Sequence, residues 1–162
     1  MIGLILAIIV YNFIAFKTNK KLTGNQIIQI WTFTVAFQII FDVIIDYKYH
    51  GYWYFTKAID WKGIIPHILL VPPVNIIFIN WFPFGKKFTK QFAYFVTFVL
   101  AIVIYEAIAK LPNPWGYFHN GWWTLGHSAI VDPILLLILL GFYKWICKLE
   151  IKAVSKYKQN GN

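Results

Sequence analysis

Five long apolar stretches divide the chain, and only short polar or aromatic connections separate them. Their apolar residues do not alternate at the two-residue period of a strand, and most approach the ~20 residues that a helix needs to cross a ~30 Å hydrocarbon core. The pattern predicts helices at residues 2–16, 26–46, 63–82, 91–109 and 124–145, with a basic tail at 146–162. Because the connections are short, we expect sequential helices to pack antiparallel in one domain over residues 1–162.

Composition favours the bilayer as the solvent of this bundle. Hydrophobic residues make up 59% of the 162 residues, against roughly 45–50% apolar residues in soluble domains. The first stretch covers only about 22 Å as a helix, but it lacks the basic start and the small-residue cleavage site of a signal peptide. The predicted fold is therefore an all-α integral membrane bundle of about five transmembrane helices.

The lysines predict how this bundle is oriented. Eleven lysines fall at one end of the predicted helices and four at the other, a bias that marks the cytoplasmic side of membrane proteins. The larger group comprises Lys17, Lys20, Lys21, Lys86, Lys87, Lys90, Lys144, Lys148, Lys152, Lys156 and Lys158, and the smaller one Lys48, Lys57, Lys62 and Lys110. We expect the N-terminus outside, the C-terminus in the cytoplasm, and anionic lipids as partners of the basic face. The chain has no arginine, which argues against a nucleic-acid partner.

Polar side chains form two stripes on the apolar helices. Thr34, Gln38, Asp42 and Asp46 recur every four residues along the second helix. The fifth helix carries the second stripe, which consists of Thr124, Ser128 and Asp132, with His127 beside them. Four-residue steps keep side chains on one helix face, and a polar face inside a membrane points to other helices or to water.

The acids and histidines of these helices collect at the lysine-poor end. Glu106 and His67 lie near the same end of the fourth and third helices. The candidate ligand-binding residues are Asp42, Asp46, His67, Glu106, His127, Ser128 and Asp132. Asp132 is the strongest of them, because an aspartate deep in a membrane helix costs up to about 2.5–3.5 kcal/mol and requires a partner.

Several of these polar groups also have a purely structural interpretation. Asp46 is at a depth where lipid headgroups and water solvate a carboxylate. Glu106 and Lys110 have the four-residue spacing of a helical ion pair. Pro72 and Pro73 remove backbone donors in the third helix, and Asn75 is positioned to satisfy the freed carbonyl groups.

No established catalytic or metal-binding motif is present, so we predict no metal site and identify no cofactor. The pattern favours a protein that handles a small ligand, ion or proton at an outward-facing acidic and aromatic pocket. A membrane-embedded enzyme with a carboxylate–histidine pair is one alternative, and a structural or accessory subunit is another. Because 162 residues are few for a stand-alone transporter, we allow for a homo-oligomer or a partner membrane subunit.

Four segments resemble one family of membrane proteins. They are FDVIIDYKYHGYWYF, PPVNIIFINWFP, YEAIAKLPNPWGY and WWTLGHSAIVDP. They resemble small, aromatic-rich, multi-pass membrane proteins of spore-forming Firmicutes, a family with no established activity. The resemblance implies a multi-pass protein of the bacterial cell membrane and assigns no catalytic or binding residue.

Overall fold

The computed structural model describes residues 1–57, 61–112 and 114–160, except for the side chains of Asp42, Val43 and Asn160. The chain is 76% helical. The helices are α1 (Ile2–Lys17), α2 (Gly24–Asp42), α3 (Trp61–Ile65), α4 (Val71–Trp81), α5 (Phe88–Ala109) and α6 (Leu125–Asn160), and the strands are β1 (Tyr52–Tyr54) and β2 (Phe118–Asn120). Two π-helical segments, Val43–Lys48 and Pro66–Leu70, extend α2 and join α3 to α4.

Among the described residues, four continuous helical segments are long and apolar enough to cross a membrane, which indicates a membrane protein. They are Gly24–Lys48, Trp61–Trp81, Phe88–Ala109 and Leu125–Gln159, while α1 is apolar but has only 16 residues. The prediction of a helical chain built for a membrane is therefore confirmed.

The structure departs from the predicted elements at two places. The last helix runs on from residue 145 through the predicted tail to Asn160, because residues 146–160 contain no proline or glycine that would end it. The second departure is the antiparallel pairing of β1 with β2, which joins Tyr52 to Asn120 and Tyr54 to Phe118.

The short sheet draws two connections together at the lysine-poor end of the bundle. The backbone N–H groups of Gly121 and Trp123 both donate to the carbonyl of Gly51, at 2.8 and 2.9 Å. The N–H of Tyr117 donates to the carbonyl of Ala109, at the end of α5. Gly116 is required at this turn, since a Cβ atom there would overlap the carbonyl oxygen of Leu111.

Amide groups and one half-buried carboxylate join the elements at the lysine-rich end. The side-chain oxygen of Asn80 accepts the N–H groups of Lys20 and Lys21, and its amide nitrogen donates to the carbonyl of Thr18. The carboxylate of Glu150 accepts hydrogen bonds from Asn25 at 2.9 Å and from Gln26 at 2.6 Å. These contacts fix the α1–α2 connection against α4 and α6.

Pro72 and Pro73 lack backbone N–H donors, and the helix is irregular just before them. They occupy the first turn of α4, directly after the π-helical segment, where a missing N–H is tolerated. The carbonyl of Leu69, four residues before Pro73, accepts a hydrogen bond from the amide of Asn12 in α1 at 2.9 Å. The amide nitrogen of Asn75 donates instead to the Thr34 hydroxyl of α2, so the expectation that it satisfies a freed carbonyl is wrong.

Candidate functional site

A cavity of about 520 Å³ lies among α1, α2, α4, α5 and α6, within the roughly 300–1,000 Å³ of ligand pockets. Most of its wall is aliphatic or aromatic. The polar residues on the wall, tyrosines and tryptophans aside, are Thr34, Gln38, Asn75, Thr97, Glu106, Ser128 and Asp132. The two stripes expected from the sequence therefore meet at one space, at Thr34 and Gln38 of the first and Ser128 and Asp132 of the second.

The cavity is long in the direction of the helices. Its wall on α5 runs from Tyr94 to Ala109, which is about 22 Å at the rise of an α-helix. Trp81 lines it towards the lysine-rich end, while Tyr52 and Trp123 line it towards the sheet. The wall is therefore bounded by aromatic rings at both ends.

Two carboxylates from different helices lie at the sheet end of this cavity. Glu106 of α5 and Asp132 of α6 both line it and interact electrostatically. Glu106 has a compensating cation, since the Lys110 ammonium lies 2.7 Å from its Oε1 atom. Oδ2 of Asp132 is buried and accepts no hydrogen bond from any residue that the structure describes. The ion pair expected for Glu106 is thus present, whereas the described residues place no cation within ion-pair distance of Asp132.

Ser128 sits one turn before Asp132 on α6 and positions an aromatic wall of the cavity. It is 3% exposed, and its Oγ atom accepts a hydrogen bond of 2.8 Å from the Trp123 indole nitrogen. The Trp123 ring in turn meets Phe41 and Tyr52 edge to face, with centroids 6.0 and 5.7 Å apart. Ser128 therefore helps to hold the indole beside the carboxylates.

A pair of tyrosine hydroxyls completes the acidic end. The hydroxyl oxygens of Tyr105 and Tyr117 are 2.6 Å apart, and both residues line the cavity. Burial, and then the neighbouring Tyr105, raise the pKa of the Tyr117 phenol above its usual value. Tyr117 is therefore a neutral hydrogen-bonding group. The sequence places Tyr105 next to Glu106 but gives no sign of Tyr117, which lies in a connection without helical periodicity.

Three other candidate residues, Asp46, His67 and His127, are not among the described residues that line the cavity. Asp46 is only 5% exposed, so its interpretation as a solvated headgroup-level carboxylate is wrong. His67 is also buried and meets the ring of Tyr54 edge to face at 4.9 Å. The exposed ring of His127 accepts the backbone N–H of Thr124 at 3.1 Å, where α6 begins. The side chain of Asp42 lies outside the described residues.

Within the described part of the chain, no three His, Cys, Asp or Glu residues are grouped so that they hold a metal ion. Protein families, characterised proteins and solved structures were compared with this chain, and none matches it.

Proposed function

We propose that this chain is a multi-pass protein of the bacterial cell membrane that binds a small ligand in the acid-ended cavity. In this proposal α1 is a fifth, short transmembrane helix, the lysine-rich end faces the cytoplasm, and the acidic end faces outward. The lysine bias supports that orientation.

This proposal depends most on the surroundings of the Asp132 carboxylate. Buried polar atoms in folded proteins nearly always have a hydrogen-bond partner, but Oδ2 of Asp132 has none among the described residues. It belongs to a residue on the wall of a cavity large enough for a ligand. A ligand group that binds the Asp132 carboxylate from the cavity would offset the cost of this buried acid, which is a simple basis for binding.

The contacts favour binding over the two alternatives. If the carboxylates served only to pair helices, Asp132 would be expected to meet a donor on a neighbouring helix, as Glu150 does with Gln26. An enzyme that uses a carboxylate–histidine pair would need a histidine beside the acids. Neither His67 nor His127 is among the described residues that line the cavity.

A filled cavity tests the proposal. Ala101 and Ala107 are both exposed residues of α5, but only Ala101 is among the described residues that line the cavity. Ala101→Trp should occupy the space, and Ala107→Trp adds the same side chain outside it. The wild type and both variants are purified in mild detergent, and their co-purifying small molecules are identified by mass spectrometry.

We expect at least one compound to accompany the wild type and Ala107→Trp and to be depleted at least tenfold from Ala101→Trp. Equal small-molecule content in all three folded proteins would contradict a ligand in this cavity.

A further inference from the structure

We infer that the ligand of this cavity is a lipophilic amine, with a protonated amino group at the acidic end and an extended apolar chain along the bundle. This inference rests on the proposed function and specifies the chemistry of the same site. It follows from the charge at one end of the cavity, from the aromatic groups around that charge, and from the shape of the remaining wall.

The charge at the acidic end calls for a cation. Among the described lining residues, Glu106 and Asp132 are acidic and none is lysine or histidine. Lys110 approaches from outside the wall and compensates Glu106, so one carboxylate remains without a counter-charge. An isolated buried charge is costly unless it is paired and hydrogen-bonded. A protonated amine supplies both, since each of its N–H bonds is a donor.

Groups around Asp132 favour an amine over an alcohol or an acid. A carboxylate ligand would be repelled by two neighbouring acids, and an alcohol would hydrogen-bond to Asp132 but leave its charge uncompensated. The rings of Tyr52 and Trp123 line the cavity beside Ser128, one turn from Asp132, and aromatic faces attract a cation. The Tyr105 and Tyr117 hydroxyls are already bonded to each other and add no charge.

The rest of the wall suits a chain rather than a second polar group. Apolar side chains from three helices continue from the acids towards Trp81, and these are Val71, Val74 and Ile77 of α4, Phe98, Ala101 and Ile102 of α5, and Leu135, Leu136 and Leu139 of α6. In the middle, the Asn75 amide donates to the Thr34 hydroxyl at 3.0 Å. This pair is neutral, so it does not attract a second charged group. A wall about 22 Å long fits an extended hydrocarbon chain better than a compact ring system.

Three probes with one chain length separate the head group from the tail. Decylamine, decanol and decanoate are added to the protein in phosphatidylcholine nanodiscs, and the thermal unfolding midpoint is measured. The proteins are the wild type, Asp132→Asn, Ala101→Trp and Ala107→Trp. Glu150→Gln is the charge control, because it neutralises an acid at the other end of the bundle.

We expect decylamine at ten times its Kd to raise the midpoint of the wild type, Ala107→Trp and Glu150→Gln by about 3–6 °C. Decanol should give less than half of that shift, and decanoate none. In Asp132→Asn, decylamine should raise the midpoint no more than decanol does. In Ala101→Trp, each probe should change the midpoint only as much as its effect on the lipid bilayer does.

Three results would overturn the inference, and they are distinguishable. If decanol and decylamine stabilise the wild type equally and Ala101→Trp abolishes both effects, the cavity binds a ligand but does not select an amine. If Ala101→Trp and Ala107→Trp respond alike to every probe, both the amine inference and the proposed function fail. A decylamine shift that is unchanged in Asp132→Asn also contradicts the amine at Asp132.

Discussion

Asp132→Asn should make the ligand-free protein more stable. The substitution keeps the shape of the side chain and removes a negative charge that has no cation or hydrogen bond at Oδ2 among the described residues. Most substitutions of buried polar residues destabilise a protein because they break contacts. Here the contact is absent, and the nearest described acid, Glu106, repels the charge.

The gain can be bounded from the cost of the native carboxylate. An unsatisfied buried polar group costs about 1–3 kcal/mol, and an aspartate at the centre of a membrane helix about 2.5–3.5 kcal/mol. Asparagine recovers only part of this, since its amide also lacks a partner, so we expect about 1–2 kcal/mol. For a chain of this size that is a rise of about 2–8 °C in the unfolding midpoint.

The assay is reversible unfolding in mixed micelles or thermal unfolding in nanodiscs, after removal of any bound ligand. Glu150→Gln is the matched control, because that carboxylate accepts hydrogen bonds from Asn25 and Gln26. It should lose about 1 kcal/mol. The two substitutions remove the same charge and should change stability in opposite directions. A loss of stability in Asp132→Asn comparable to that in Glu150→Gln would refute the reasoning.

Four further predictions concern the packing of the bundle and of its sheet end. Tyr105→Phe and Tyr117→Phe should couple by about 0.5–1.5 kcal/mol in a double-mutant cycle. Burial raises the Tyr117 pKa, so the neutral phenol stabilises the folded protein fully below about pH 10 and less as the pH rises above that value. Denaturation curves measured across this range should show a loss of stability in the wild type and a smaller loss in Tyr117→Phe. Asn12→Leu should cost about 1–3 kcal/mol in the same unfolding assay, because it orphans a carbonyl in the π-helical segment. Gly116→Ala should prevent accumulation of folded protein in membranes, whereas Gly141→Ala, which meets no neighbour, should express like wild type.

The helices of the bundle were largely predictable from the sequence. The predicted end at residue 109 coincides with the end of α5, because the polar and proline-rich segment LPNP follows at once. The continuation of α6 to Asn160 was not predictable from hydropathy, which measures the preference for lipid and says nothing about where a helix in water stops. The β1–β2 pairing joins residues more than sixty positions apart, and no local pattern indicates such a contact.

Within the candidate site, only the residues whose positions follow from helical spacing could be predicted from the sequence. Ser128 and Asp132 lie one turn apart and share the cavity, as their four-residue spacing indicates. His127 is next to Ser128 in the chain but points elsewhere, since adjacent residues differ by about 100° around a helix. Tyr117 and Trp123 reach the wall from connections, and their positions depend on the sheet and the turns around it.

The central claim is that one face of α6 borders a cavity reached by water, and the opposite face borders lipid. Leu135 lines the cavity, while its neighbour Ile134 is 52% exposed on the outside; both lie about 14–15 Å along the helix from Leu125. In a Cys147→Ser background, Leu135→Cys and Ile134→Cys are treated in intact membranes with 2-aminoethyl methanethiosulfonate, a small water-soluble cationic reagent. The account predicts that the cysteine at position 135 is modified at least tenfold faster than the cysteine at position 134. Adding Ala101→Trp should slow the modification at position 135. Equal rates, or faster modification at position 134, would contradict it.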